Sequence, residues 1–344
     1  PDNLLYSEKG INKIPNLTII PFVGKVIQKI VETIYFIYIC FKYKYHFYYA
    51  NLEWFNIHRK WKFLDKQFGD GFRLNLWFAK KLGVKILFFP SGCNDYVTRE
   101  EFSKFDNGNV CNNCGWGNVC NDNHNKYKLK AISKYVDFAV NDGAMETPHF
   151  NINFYKYKSL DLELWKPNLL IPKKFQLPKT KNLRILHSFY NENREKEGKN
   201  IKGSPKILEA INKLKEEGFK IEYMYINNIP SKDVKYLQSQ ADICIEQIIY
   251  GWWGSTGVET LSLGKPVIVY INKEWKKNYL EHFPYLEELP VVEANTKNIY
   301  RVLKKLVKND ALRKKISKNS RKFSKLQYDI NNNAIEFENM ILKI

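Results

Sequence analysis

Residues 241–270, ADICIEQIIYGWWGSTGVETLSLGKPVIVY, carry the residue types and spacing best suited to chemistry. Gly251, Gly254 and Gly257 allow close approach to the backbone, and Ser255 and Thr256 supply an N-cap for a helix over roughly 256–263. The first turn of a helix holds amides without intrahelical partners, and its dipole favours negative charge. The junction therefore suits a phosphate or diphosphate. Glu259, about one turn further in, is placed to accept hydrogen bonds from a sugar hydroxyl. On pattern alone the competing reading is a strand–turn–helix whose glycines only make room and whose Glu259 is solvated.

A second cluster is built of thiols. Cys111 and Cys114 form a C-x-x-C knuckle, Cys120 follows and Cys93 precedes. These four soft ligands fit a tetrahedral Zn²⁺ site, with His124 able to replace Cys93. Residues 106–125 are polar and rich in Gly and Asn, so a metal is one way to order them. Such a zinc would be structural: protein can fill all four positions, and no H-E-x-x-H pattern marks a catalytic metal. The alternative is a set of free or redox-sensitive thiols on a loop. Cys40 and Cys244 lie in apolar runs and read as ordinary buried residues.

The elements that position these residues follow from the hydrophobic pattern. With 344 residues, 44% of them hydrophobic, the chain is long for one core, and two domains are expected. Short apolar runs at 46–50, 84–90 and 137–141 read as parallel strands, with helices at 74–82 and 126–134 between them. A Pro- and Lys-rich linker spans 166–182. Strands at 183–186, 221–226, 241–246 and 267–270 then alternate with helices at 204–217, 231–240 and 296–309. Such alternation makes an α/β fold with parallel sheets, and the turn at 91–95 sits where α/β sheets place ligands.

Net charge is +19, from 55 Lys and Arg against 36 Asp and Glu, which favours anionic partners. The charges are spread along the chain and not gathered in an arm, which weighs against nucleic acid. Residues 25–41 form an apolar-rich helix whose uncharged part is too short to span a bilayer. A core helix is the first reading. The Lys and Tyr residues of 42–49 keep a membrane-lying one open. No cleavable signal is visible, and clustered cysteines in a Lys-rich chain suit the cytosol, with room for a peripheral place on the inner face of a membrane.

At this point the sequence resembles retaining nucleotide-sugar glycosyltransferases of the two-Rossmann GT-B fold. The resemblance runs through HSFYNENREKEGKNIKGSPKILEAINKL (187–214) and residues 241–271, and more faintly through GVKILFFPSGCND and KYVDFAV. Gln247, Gly251, Trp253, Gly254, Glu259, Gly264, Lys265 and Pro266 fall at family-like spacing. It implies an N-terminal acceptor domain over 1–165 and a C-terminal donor domain over 183–320. Residues 321–344 would form a helix crossing back to the first domain.

It also implies site roles. Lys202, in the Lys202–Gly203–Ser204 turn, would neutralise the donor diphosphate, with Arg194 as a second cation. Gly254, Ser255 and Thr256 would offer amides to the phosphates, and Glu259 would hold the ribose. Asn227 and Ile229 would border the base. Many relatives carry a glutamate near the donor sugar where this chain has Gly251, so Gln247 or Trp252 would contribute instead. Lys202, Asp95 and His187 are the candidate catalytic residues, the last two orienting donor sugar or acceptor, although an ordinary structural role suits each equally.

The function expected is sugar transfer from a nucleotide-diphosphate sugar to a glycan or lipid-linked acceptor. Alternatives are a basic, zinc-containing nucleic-acid-binding protein and a nucleotide-sugar epimerase of the same fold.

Overall fold

A computed structural model describes residues 24–50, 52, 66–116, 120–189, 198–227 and 229–344. Two parallel sheets organise the chain. The first has the order β1-β2-β3, with β1 Tyr45–Tyr49, β2 Lys85–Phe89 and β3 Phe138–Ala139. The second has the order β5-β4-β6-β7-β8, with β4 Leu183–Ser188, β5 Ile221–Ile226, β6 Ile243–Gln247, β7 Val267–Val269 and β8 Val292–Glu293. Its central strand β6, ICIEQ, is buried along its whole length, as expected for a parallel strand covered on both faces.

Chain order and spatial order disagree at one place in the second sheet. From β4 the chain moves outward to β5, then returns to lay β6 on the other side of β4. Neighbouring connections therefore leave in opposite directions at the carboxyl ends of β4 and β6, which opens a crevice there. The Lys202 turn follows β4, and the Gly254 corner follows β6.

Helices cover the sheets by the 3.6-residue rule. Ser204–Glu216 buries Ile207, Ala210, Ile211 and Leu214 against Ile185, Ile243 and Ile268. In the first half, Leu76, Leu129 and Ile132 pack on Ile86 and Phe88. Between the halves lies one continuous apolar core, in which Tyr96, Phe102, Val110 and Met145 meet Trp252, Trp253, Trp275 and Tyr279. Val110 belongs to the Cys-rich insertion. Its burial, with Cys111 and Cys114 packed alongside, gives that segment an apolar source of order.

The chain ends with the crossing helix that the resemblance implied, at a different boundary. Helix Asp310–Gln327 packs on Ser255–Ser262 and stays with the second half, tied by Arg321, whose Nη1 donates to Ser262 O at 2.7 Å and Trp165 O at 2.8 Å. After the break at Tyr328, helix Ile330–Ile341 crosses to the first sheet. There Phe337 meets Phe47, Phe89, Phe138 and Phe154. Helix Gly24–Lys42 packs through Phe36 and Cys40 against Ala79 and Val84. No helix among the described residues is long and apolar enough to cross a membrane.

Candidate active site

A cavity of about 830 Å³ separates the two sheets. The second half contributes Lys202, Glu246, Gln247 and Gly254–Thr256 to it; the first contributes Asp95, Arg99, Asp142 and Lys158. Residues some fifty positions apart in sequence, Lys202 and the Gly254 corner, are thus brought to one wall.

The Lys202 turn is built by Asn200. Its Oδ1 accepts from the amides of Lys202, Gly203 and Ser204 at 2.9–3.1 Å, which folds the chain tightly into the next helix. Gly203 holds φ +78°, and a Cβ there would lie 2.5 Å from Ile248 Cγ1, so both conformation and space call for glycine. Lys202 O accepts from Ile248 N at 3.0 Å, fastening the turn to the end of β6. Lys202 Nζ donates to Ser188 O at 3.1 Å. Gly203 itself stays behind the wall and does not line the cavity.

His187 also lies behind this wall, fully buried. Its Nδ1–H donates to Ile245 O at 2.8 Å and its Nε2 accepts from the Ser204 hydroxyl at 2.8 Å. Burial, and then Lys202, push its pKa down to about 3, so the ring is neutral. The expectation that His187 faces the reacting groups is corrected: it joins β4, β6 and the Lys202 turn.

The helix corner differs from the sequence reading in one respect. Gly254, not Ser255 or Thr256, is the N-cap of Ser255–Ser262, and no side chain of the cap itself bonds the first turn. Instead Glu246, 3% exposed at the end of β6, accepts the Gly254 amide on Oε1 at 2.7 Å. The Gly254 amide is therefore already engaged. Among the described residues no partner is found for the Ser255 or Thr256 amide, and both residues line the cavity. Burial raises the Glu246 carboxyl above its ordinary range, against the pull of Lys202 and the Gly254 amide.

Glu259 is half-buried one turn along the helix and accepts from Gln238 Nε2 at 3.3 Å. Burial lifts its pKa to about 8, with Glu246 adding to the rise. It is absent from the cavity wall, as are Asn227, exposed after β5, and Ile229, which packs beside Leu186 and Ile226. Arg194 lies outside the described residues. Gln247 lines the cavity and donates its amide to Trp252 O. Trp252 stacks on Trp253 with ring centroids 4.1 Å apart, and Trp253 Nε1 donates to the Tyr328 hydroxyl at 2.9 Å.

On the opposite wall, Asp95 accepts from Ser91 N at 2.6 Å and forms an ion pair with Lys128. It shapes the 91–95 turn while facing the cavity. Lys158 pairs with Asp142 and donates to Trp253 O at 3.2 Å, a bond that bridges the two halves. Burial works against its charge, yet Asp142 holds it protonated well above the usual lysine range. Glu246, Asp142 and Lys158 escaped the sequence reading. The polar pair Glu246–Gln247 at the end of an apolar strand was the available signal for Glu246.

Cys93, Cys111, Cys114 and Cys120 all reach this cavity. Asn94 stands between two of them, its Nδ2 donating to Cys120 Sγ at 3.6 Å. Among the described residues no three His, Cys, Asp or Glu side chains form a group able to hold a metal ion. The expected Zn²⁺ ligand set finds no support in this placement, and the four thiols form part of the cleft lining.

No family model and no curated protein matches the sequence. Solved structures do match. A sucrose-phosphate synthase from Thermosynechococcus elongatus superposes with TM-score 0.57 at 11% identity, covering 96% of this chain and 81% of that one. A glycosyltransferase from Rickettsia africae gives 0.56 at 16% identity, covering 96% and 84%. Anabaena HepE, solved in complex with UDP-glucose, gives 0.55 at 10% identity, covering 91% and 82%. The chain has the GT-B fold, two Rossmann-like domains facing a cleft, with glycosyltransferases among its structural neighbours.

Proposed function

We propose that this protein is a glycosyltransferase that moves a sugar from a nucleotide-diphosphate donor to a glycan or lipid-linked acceptor, with retention at the anomeric carbon. The observation carrying this reading is that Lys202 and the Ser255–Thr256 corner line one cleft at the switch point of the second sheet. Cleaving a sugar–phosphate bond builds negative charge on the departing diphosphate and oxocarbenium character at the sugar. A lysine and two helix-N-terminal amides, held in place by Asn200 and Glu246, stabilise that charge without rearrangement. The Trp252–Trp253 stack and Gln247 shape the floor beside them. Glu259 would reach the ribose from beyond this cavity once donor is bound. Asp95, with Lys128, would orient the acceptor. No protein nucleophile is assigned, since attack on the face of the leaving group suits a retaining reaction without one.

We further propose that helix Gly24–Lys42 rests on an anionic membrane surface. Ile30, Ile34 and Phe41 are exposed on this helix, with Lys29 and Lys42 on it and Lys44 just after it. Co-sedimentation with phosphatidylglycerol vesicles, but not phosphatidylcholine ones, is expected.

Thermal-shift screening against nucleoside diphosphates and their sugars tests the donor assignment, because a ligand of the native state raises the melting midpoint. Product analysis with and without acceptor separates transfer from epimerisation. Absence of any shift across the panel counts against the enzyme.

A further inference from the structure

Glu246 occupies a place where the proposed reaction puts a second, larger anion. Its Oε1 takes the Gly254 amide, while Oε2 is buried over the backbone of Gly257, whose amide draws on the carboxyl without closing a hydrogen bond of good geometry. A Cβ on Gly257 would fall 2.3 Å from Oε2, and one on Gly254 3.1 Å from Oε1. The carboxyl group therefore lies flat against the turn that opens helix Ser255–Ser262. That same turn presents Ser255 and Thr256 to the cavity, beside Lys202. One helix N-terminus thus serves a built-in anion on its inner side and has room for an arriving one on its outer side.

The charged and titratable groups around Glu246 are few. Lys202 comes from the turn after β4, and Lys158 comes from the first half already paired with Asp142. Glu259 lies one turn along the helix, and the Tyr328 hydroxyl closes the far side. Adding a diphosphate here brings like charges together in a corner shielded from solvent, where screening is weak. A carboxylate so crowded responds by binding a proton.

Resting on the reading of this corner as the diphosphate site, we propose that Glu246 is its internal counter-anion: as a nucleoside diphosphate settles on Lys202 and the Ser255–Thr256 amides, Glu246 takes up a proton from solvent. Protonated Glu246 keeps Oε1 as acceptor for Gly254 N–H and carries the hydrogen on Oε2, the less firmly held oxygen. No bond to the nucleotide forms or breaks. By linkage, donor affinity falls as pH rises through the range in which free Glu246 ionises.

Calorimetric titration of the whole protein with UDP, GDP and ADP, in buffers of unlike ionisation enthalpy, measures the protons exchanged. From about pH 7.5 to about pH 8.5 the terminal phosphates are almost fully ionised and the bases keep their ring N–H protons, so the nucleotide contributes little. Wild type is expected to gain a fraction of a proton that rises towards one, with affinity falling by up to about tenfold per pH unit. Glu246→Gln should bind with no uptake and a flat profile, whereas Glu259→Gln, which removes the proposed ribose contact, should bind more weakly but retain the proton uptake and the pH slope. Uptake persisting in Glu246→Gln, or vanishing only in Glu259→Gln, overturns the assignment. If Glu246→Gln does not fold, wild type and Glu259→Gln still decide, since a flat wild-type profile refutes the proposal and a slope retained in Glu259→Gln supports it. Binding without any proton change overturns this inference alone. A wild type that binds none of the three nucleotides overturns the donor site, and this inference with it.

Discussion

Gly257→Ala gives the sharpest test of how the corner proposed to hold phosphate is packed. Inside a helix this exchange ordinarily stabilises by about 1 kcal/mol, because alanine is the better helix former. Here the new methyl would stand 2.3 Å from Glu246 Oε2 and 2.6 Å from Trp253 Cβ. Neither neighbour can retreat. Glu246 is fixed by Gly254, and Trp253 is held between the Trp252 stack and its hydrogen bond to Tyr328. Overpacking a tight core costs about 1–3 kcal/mol, and two contacts this short belong at the upper end. The net expectation is a loss of about 2 kcal/mol, or a fall of roughly 4–8 °C in melting midpoint on the scale of a mid-sized domain. Thermal unfolding followed by near-ultraviolet circular dichroism, which reports the tryptophan stack, measures it. The same variant should lose the stabilisation that a nucleoside diphosphate confers on wild type. A Gly257→Ala protein that melts at or above wild type would refute the packing argument, and with it the placement of Glu246 under the turn.

Lys202→Met should leave melting nearly unchanged and lower turnover by about 10²–10³-fold, the loss typical of one transition-state charge contact; equal turnover would remove Lys202 from the diphosphate. His187 has a folded pKa of about 3 against an ordinary 6.5, so the unfolded chain binds the extra proton between those values. Stability is then fully present above about pH 6.5 and declines by up to about 1.4 kcal/mol per unit as pH falls towards 3. Urea unfolding of His187→Asn should show a shallower acid slope than wild type, and parallel slopes would contradict the buried neutral ring. Iodoacetamide should modify Cys93, Cys114 and Cys120 in the native protein and Cys111 more slowly, since burial raises its thiol, while sparing Cys40 and Cys244. Peptide mass mapping checks this order, and rapid labelling of Cys244 would contradict its burial in β6.

The sequence announced the second sheet more clearly than the first. Strand 221–226 falls where the pattern puts it, and helix 204–217 within a residue, because ILEAINKL repeats its apolar positions with helical spacing and Gly218 closes it. Strand β3 shrank to Phe138–Ala139, and the helix before it starts at Asp122, capped by Asn121, inside a segment whose polar composition suggested a loop. The strand–helix corner was legible because Gly254, Ser255 and Thr256 follow an apolar strand and lead into a helix. Its cap was not. Glu246 reads as one polar residue in an apolar strand, and only the three-dimensional return of the chain over eight residues shows it holding Gly254. The zinc reading finds no support among the described residues. Local C-x-x-C spacing does not say how closely four thiols converge; here they share one cleft wall, with Cys111 near Cys114 and Cys120 and packed beside Val110. Lys158 and Asp142 were invisible because their meaning lies in a contact across two domains.

The crossing of helix Ile330–Ile341 onto the first sheet sets a timetable for biosynthesis. Phe154 and Phe138 leave the ribosome early, yet Phe337, which covers them, is added 183 residues after Phe154. At about 5–20 residues per second the nascent first domain shows an aromatic hollow for roughly ten to forty seconds. During that interval the wound is open to chaperones or to neighbouring chains. The first half can acquire its strands on its own schedule, but it becomes watertight only when the second half has been made and sends its last helix back.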